Sequence, residues 1–312
     1  MGKLGFCESI YKILVSHISA SEVVEKACLA IVKIATDNLN NIERFGVIGM
    51  CDLLSRSTAR HLSNPTVVEN LCCAISLLAT NSGLREKFGV CGTCELITRA
   101  LPHLICRESN AEQACRALSS LSMMGEGIYE GTGSNRSVAV NLNDNVWKLG
   151  QNNACQLIIQ CLHSHCKNST VTLYGLMTIT ALSTNDENRN RLSEEGVAES
   201  MICAALTHEN NPIIAEQACK SFSCIVYGNA FNSKRLGEGG ACDYVRAVLV
   251  RFQNDFNVVK QACIAVSNLA AGNPHNCRRF EGLTDVLNLI LLNNEFDESI
   301  KIEVKNALSK LR

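Results

Sequence analysis

The stretch KQACIAVSNLAA, residues 260–271, places its apolar side chains on one side of a predicted helix. Cys263, Val266 and Leu269 follow one another at three-residue spacing, which brings them onto a single helical stripe. Two further stretches have the same spacing, namely Cys28, Ile31 and Ile34, and Cys115, Leu118 and Leu121. Aromatic residues make up only 5% of the chain and hydrophobic residues 46%, so small and aliphatic side chains predict an all-α protein with closely packed helices.

Cysteines mark a repeat along the chain. Four pairs are each 21 residues apart: Cys7 and Cys28, Cys51 and Cys72, Cys94 and Cys115, and Cys242 and Cys263. Cys28, Cys72 and Cys115 follow one another at 44 and 43 residues, and Cys219 and Cys263 are 44 residues apart. This self-similarity predicts a repeat of about 43–44 residues.

Each repeat is predicted to contain three helices. A short first helix carries the pattern Asn-x-x-x-Leu/Phe, which begins at Asn41, Asn145, Asn188, Asn232 and Asn276. Third helices begin at Asn64-Pro65 and Asn211-Pro212, since asparagine caps a helix and proline suits its first turn. The chain starts with a repeat that lacks its first helix, which makes about seven repeats in all.

Several stretches of this repeat resemble the helices of the armadillo-repeat family. EQACRALSSLS (112–122), EQACKSFSCIV (216–226) and KQACIAVSNLA (260–270) are similar to the third armadillo helix, and GEGGACDYVRAVL (237–249) is similar to the junction of the first two. The resemblance covers essentially the whole chain. It implies a single domain over residues 1–312, built as a right-handed superhelical solenoid.

One interval is longer than the repeat allows. About 17 extra residues enter between Leu121 and Asn145, in a segment rich in Gly, Ser and Asn. This composition predicts an exposed, mobile loop at about residues 122–144, which is a second candidate surface for a partner.

The 18 cysteines are interpreted mainly as packing residues. Ten of them occupy two repeat positions: Cys7, Cys28, Cys51, Cys72, Cys94, Cys115, Cys155, Cys219, Cys242 and Cys263. Free cysteine is among the most buried residue types, so we expect these ten thiols inside the helix packing. Such density in a chain of this length favours reduced thiols and a cytoplasmic, or alternatively nuclear, location.

Motifs of catalysis and cofactor binding are missing from the sequence. Neither GxxxxGK[ST] nor GxSxG nor HExxH occurs, so we expect neither an enzyme nor a cofactor. Cys161-Leu-His163-Ser-His165-Cys166 gathers four soft or borderline ligands, which leaves a thiol or zinc sensor as an alternative function. The net charge of −1 and the absence of an 18-residue apolar run predict neither nucleic-acid binding nor an integral membrane segment.

The resemblance implies that the third helices line a concave, partner-binding groove. In armadillo proteins that bind extended peptides, asparagines at the position of Asn268 bond the peptide backbone, and the nuclear-import adaptors carry Trp four residues earlier. Here only one of six such positions is Asn, and none is Trp. A nuclear-transport-type adaptor for basic peptides is therefore an alternative function, for which this sequence lacks most of the peptide-binding asparagines.

The expected function is a non-catalytic scaffold or adaptor for a protein partner. A polar row on the third helices supplies the candidate contacts, which are Gln113, Arg116, Tyr174, Gln217, Lys220, Gln261 and Asn268. The alternative interpretation of this row is an ordinary solvated helix face. Because LGFCESIYKIL is a poorly polar outer surface, contact of the N-terminal repeat with another domain or a second copy is a further hypothesis.

Overall fold

The computed structural model describes residues 5–123, 144–293 and 295–311, and within these ranges the regular structure is helical throughout. The helices are, in chain order, α1 Phe6–Ser16, α2 Ser21–Ala35, α3 Leu39–Val47, α4 Met50–Arg60, α5 Pro65–Leu78, α6 Ser82–Val90, α7 Thr93–Leu104, α8 Glu108–Ser122, α9 Asp144–Gln151, α10 Ala154–Ser164, α11 Ser169–Leu182, α12 Asp186–Glu194, α13 Val197–Thr207, α14 Pro212–Val226, α15 Ala230–Glu238, α16 Ala241–Arg251, α17 Phe256–Ala270, α18 Pro274–Arg279, α19 Leu283–Leu292 and α20 Glu298–Lys310. The predicted all-α class is confirmed.

The helices group as the sequence predicted. From α3 onwards they form sets of three, and α1 and α2 are the second and third helices of the first repeat. The described residues divide into two compact units, one with α1–α10 and one with α11–α20. A single solenoid over residues 1–312 stays a prediction, and most of the predicted loop at 122–144 lies outside the described residues.

Helix starts follow the local sequence. Asn64 and Asn211 each precede a third helix, and their side chains accept hydrogen bonds from backbone N–H groups of the first turn, with proline next in sequence. The second helix of a repeat is instead preceded by a left-handed residue, which is Asn153 before α10 and glycine before the others, for example Gly240 at φ 100°. This conformation turns the chain sharply between first and second helices, and glycine adopts it at little steric cost because it has no Cβ.

The ten repeat-position cysteines are all buried, as expected. Cys263, on α17, has no exposed surface, and neither have Cys28 or Cys219. Burial raises the pKa of Cys94 to about 12, and the neighbouring Glu95 adds to the increase. These thiols are therefore neutral apolar packing groups.

Asparagines of the Asn-x-x-x-Leu/Phe pattern have a structural role that the sequence did not disclose, namely a hydrogen bond to the preceding third helix, which is donated by Asn41, Asn145, Asn232 and Asn276. The amide of Asn232 donates to the carbonyl of Ile225, seven residues earlier, at 3.0 Å. Asn145 makes the same bond to Leu121, at 3.0 Å, but across 24 residues. The insertion of about 17 residues thus leaves the contact between the third helix and the next first helix unchanged.

A small residue on the preceding first helix makes room for this asparagine. A Cβ at Gly237 would lie 2.6 Å from Cγ of Asn276, and a Cβ at Gly89 would lie 2.8 Å from Cγ of Asn145. Where the small residue is Ser193, its hydroxyl donates to Oδ1 of Asn232 at 2.6 Å. First helices of neighbouring repeats therefore approach closely at this point.

Within the described ranges, no helix is both long enough and apolar enough to cross a membrane.

Candidate partner-binding surface

Third helices lie side by side within each unit. In the first unit α5 packs between α2 and α8, and in the second unit α14 and α17 pack in a row between α11 and α20. The predicted contact residues lie on these helices, and each is half-buried. They are therefore neither core residues nor fully solvated ones.

In the first unit, Gln113 and Arg116 on α8 lie against Cys73 on α5. The side-chain oxygen of Gln113 accepts a hydrogen bond from the Cys73 thiol, with a separation of 3.0 Å. Burial raises the pKa of Cys73 to about 11; Glu69 adds to this effect and the Arg116 charge opposes it. The thiol is thus a neutral donor that holds Gln113 in place.

In the second unit, Gln217 belongs to a hydrogen-bond network between α11 and α14. Its amide nitrogen donates to the Thr180 hydroxyl at 2.8 Å, and Thr180 and Ser221 share a further hydrogen bond of 2.8 Å. The Ser221 hydroxyl also lies 3.1 Å from the carbonyl of Leu176 on α11. The predicted contact residue Gln217 therefore fixes two neighbouring repeats to one another. Tyr174 lies on α11 as well, half-buried.

Lys220 lies one turn after the half-buried Glu216 on α14. Burial raises the pKa of the Glu216 carboxyl above its usual range; the Lys220 charge lowers it, and Asp255 raises it further. A carboxylate held partly out of water in this way has lost some of its hydration.

Gln261 and Asn268 lie on α17. The amide nitrogen of Asn268 donates to the Ser223 hydroxyl at 2.6 Å and lies 3.4 Å from the Ser223 carbonyl, on α14. Asn268 thus has a packed orientation rather than a freely projecting one. An amide fixed in this way loses little side-chain entropy when it binds a ligand.

Asn268 also lines an open cleft of about 560 Å³ in the second unit. The cleft lies where α14, α17 and α20 end, and its size is typical of ligand sites, about 300–1,000 Å³. Its lining residues are Val226, Tyr227, Gly228, Asn229, Ala230, Ser233, Ser267, Asn268, Ala271, Gly272, Asn306, Ser309 and Lys310. Of these, sequence reasoning identified only Asn268 as a contact residue.

The cleft edge combines open backbone with polar side chains. Gly228 and Gly272 lie 44 residues apart with φ of 65° and 64°, and a Cβ at either would meet no atom within 4 Å. Backbone groups at these two glycines are therefore unshielded by side chains of their own. Asn268, Ser267 and Asn306 add hydrogen-bonding groups to the cleft. An extended peptide needs such partners for its own N–H and C=O groups.

The segment from Cys161 to Cys166 holds the cysteines and histidines that the sequence offers as metal ligands. Among the residues that the structure describes, no three His, Cys, Asp or Glu side chains are placed to hold a metal ion. Cys161 is buried and Cys166 is half-buried, so Cys161 belongs with the packing cysteines.

The sequence matches no family model and no curated protein. Among solved structures, one engineered protein is similar over 98% of this chain and 68% of its own length, with a TM-score of 0.76 and 19% identity. A designed armadillo repeat protein is similar over 83% of this chain and all of its own, with a TM-score of 0.64 and 19% identity. Computationally designed armadillo repeat proteins for modular peptide recognition give the same coverage and identity, with a TM-score of 0.63. Together with the three-helix repeats and the buried asparagines, these similarities show that the chain has the armadillo repeat fold.

Proposed function

We propose that this protein is a non-catalytic scaffold or adaptor, which binds a protein partner on the surface formed by its third helices. The observation that carries this proposal is the open cleft at the ends of α14, α17 and α20, with the fixed amide of Asn268 in it. The other proposed contacts are, in the first unit, Gln113 and Arg116, and, in the second unit, Tyr174, Gln217, Lys220 and Gln261. The solved structures described as designed for modular peptide recognition support this use of the fold.

The charge of the cleft favours an uncharged or acidic segment. Lys310 is the one charged side chain among its lining residues, and none of them is acidic. A groove for basic peptides would need carboxylates, because a lysine-rich ligand must exchange its hydration for charge pairing. The cleft therefore gives no support to the nuclear-transport-type adaptor. The 18 free cysteines support a location in a reducing compartment such as the cytoplasm.

Selection from a random peptide display library against the intact protein tests the proposal. We expect binders that are poor in lysine and arginine. Their affinity should fall about tenfold or more, ~1.4 kcal/mol, in a variant with Asn268→Ala and Asn306→Ala. Arg246→Ala, on α16 and outside the cleft, is the matched control and should bind as the parent does.

Each other outcome of this selection contradicts the proposal. Failure to select any binder, or equal binding by the cleft and control variants at unchanged thermal stability, would place recognition elsewhere. Selection of lysine- and arginine-rich peptides would favour the nuclear-transport-type adaptor instead.

A second contact is proposed at the N-terminal repeat. Phe6, Ile13 and Leu29 on α1 and α2 are each about half exposed, at 46%, 50% and 50%. We expect burial of these side chains against another domain or a second copy. Sedimentation at low and high protein concentration checks self-association, and Ile13→Glu should abolish any increase in mass.

A further inference from the structure

Two pairs of cysteines each place two thiols within hydrogen-bonding reach of one another, and the two pairs differ in their access to solvent. In the first unit the thiols of Cys115, on α8, and Cys161, on α10, are hydrogen-bonded and both fully buried. In the second unit the thiols of Cys166, just before α11, and Cys203, on α13, are hydrogen-bonded as well. Cys203 is exposed and Cys166 is half-buried, so a small reagent can reach this second pair.

The backbone on both sides of the exposed pair is held in place. A ring nitrogen of His208 lies 2.8 Å from the Cys166 carbonyl, which also accepts a hydrogen bond of 3.2 Å from the Thr172 hydroxyl. The Thr207 hydroxyl donates to the Cys203 carbonyl at 2.8 Å. The His208 contact ties the segment before α11 to the end of α13, which is the helix that carries Cys203. Close, fixed thiols are the geometric requirement for a disulfide, because its S–S bond is about 2.05 Å long.

We propose that Cys166 and Cys203 form a redox modification site, at which a peroxide converts the two thiols into a reversible disulfide. One sulfur attacks a peroxide oxygen, the O–O bond breaks, and the sulfur becomes a sulfenic acid while one water leaves. The second thiol then attacks the sulfenic sulfur, the S–S bond forms, and a second water leaves. The two cysteines lose two electrons in total, and hydrogen peroxide is reduced to two molecules of water.

The surroundings of the pair favour a disulfide over a metal site. Two thiolates supply only half of a tetrahedral zinc shell, and no third ligand group is assembled here among the described residues. Burial raises the pKa of Cys203 above its usual range, and the neighbouring Cys166 adds to this effect. Since the thiolate is the reacting form, we expect oxidation over minutes to hours rather than the fast reaction of an acidic thiol.

The disulfide would have a structural consequence within the second unit. It would bind the segment that leads into α11 covalently to α13, beside the noncovalent contacts of His208. Tyr174 lies on α11, so the oxidised form would have one of the proposed partner-contact helices held by an added cross-link. The inference rests on the pairing of the two thiols, the His208 contact and the exposure of Cys203, and it is independent of the proposed partner binding.

Oxidation of the intact protein followed by differential alkylation and peptide mass spectrometry tests the proposal. Hydrogen peroxide should produce a cross-linked peptide pair that contains Cys166 and Cys203, and dithiothreitol should release it. Cys203→Ser should abolish the cross-link and leave Cys166 alkylatable. Cys106→Ser, which removes an exposed cysteine outside the pair, should leave the cross-link unchanged.

The buried pair serves as an internal control in the same sample. Cys115 and Cys161 should stay reduced while the exposed pair is oxidised, because peroxide and alkylating reagent cannot reach them in the folded protein. The proposal is overturned if Cys203 ends as a separate sulfinic acid or pairs with Cys106. It is also overturned if the buried pair links at the same rate, since that would report unfolding rather than a site.

Discussion

Replacement of Gly237 by alanine should destabilise the protein, although the position is helical. Alanine is usually favoured over glycine inside a helix by about 1 kcal/mol. Here the added Cβ would lie 2.6 Å from Cγ of Asn276, 2.9 Å from its Nδ2, and closer still to Oδ1. The asparagine would have to move, although it is fully buried.

The cost follows from the hydrogen bonds of Asn276. Its amide donates to the carbonyls of Leu269 and Ser233, both at 2.9 Å. Loss of these two bonds costs about 1 kcal/mol each, and a buried amide left without partners costs about 1–3 kcal/mol more. After subtraction of the helix preference, we expect Gly237→Ala to lower the free energy of unfolding by about 2–4 kcal/mol.

Urea unfolding followed by circular dichroism, with hydrogen exchange at α15 and α18, measures this effect. Gly83→Ala is the matched control, because a Cβ there meets only Oδ1 of Asn81 at an ordinary 3.5 Å. This control should be neutral or slightly stabilising. In the background of Asn276→Ala the clash is removed, so Gly237→Ala should then be neutral or stabilising too. The reasoning is refuted if Gly237→Ala stabilises the otherwise unchanged protein as Gly83→Ala does.

Three further predictions concern other parts of the chain. Asn145→Ala should lower the free energy of unfolding by about 2 kcal/mol, because the amide nitrogen of Asn145 donates to two buried carbonyls. The same substitution should speed hydrogen exchange in the last turn of α8. Unchanged exchange there would contradict the structural role of Asn145. Burial raises the folded-state pKa of Glu216, so its contribution to stability is full below the ordinary glutamate pKa and is lost as pH rises through the raised value. In the parent protein the free energy of unfolding should therefore fall as pH rises through that window, and in Glu216→Gln this fall should be absent. Parallel profiles of unfolding free energy against pH for the two proteins would contradict this prediction. Alkylation of the folded protein at neutral pH should modify the exposed Cys106 rapidly, and Cys94 should react only once the protein is denatured, because burial raises the pKa of Cys94 to about 12. A time course followed by mass spectrometry measures both rates. Equal rates would show that Cys94 is accessible in the folded protein.

The repeat and its core could be predicted from the sequence because they depend on spacing alone. Cys263, Val266 and Leu269 share a face of any helix that contains them, and the 21-residue step between cysteines repeats that face. The role of Asn232 could not be predicted in the same way. Its amide reaches a carbonyl seven residues earlier, at the end of the previous helix, and that bond depends on the turn between the two helices.

The candidate contact residues show a different limit. These residues lie half-buried on the third helices, as the predicted polar row requires. The residues with which they form hydrogen bonds inside the protein, however, are far away in sequence. Gln217 bonds Thr180 across 37 residues and Asn268 bonds Ser223 across 45, and a single sequence does not reveal such pairs. The cleft was missed because no expectation of a binding surface was drawn from Gly228 and Gly272, which lie 44 residues apart in the sequence. Their equivalent places in successive repeats were the signal that could have identified it.

The bond between Asn145 and Leu121 has a consequence for how such a chain can change over evolution. This contact joins the two helices directly, so the alignment of one repeat with the next does not depend on the length of the chain between them. Segments of different size, or a whole inserted domain, could be exchanged at this point without a shift in the neighbouring repeats. The position is therefore a natural site for gene-level insertions, and for placing a fluorescent reporter in laboratory variants.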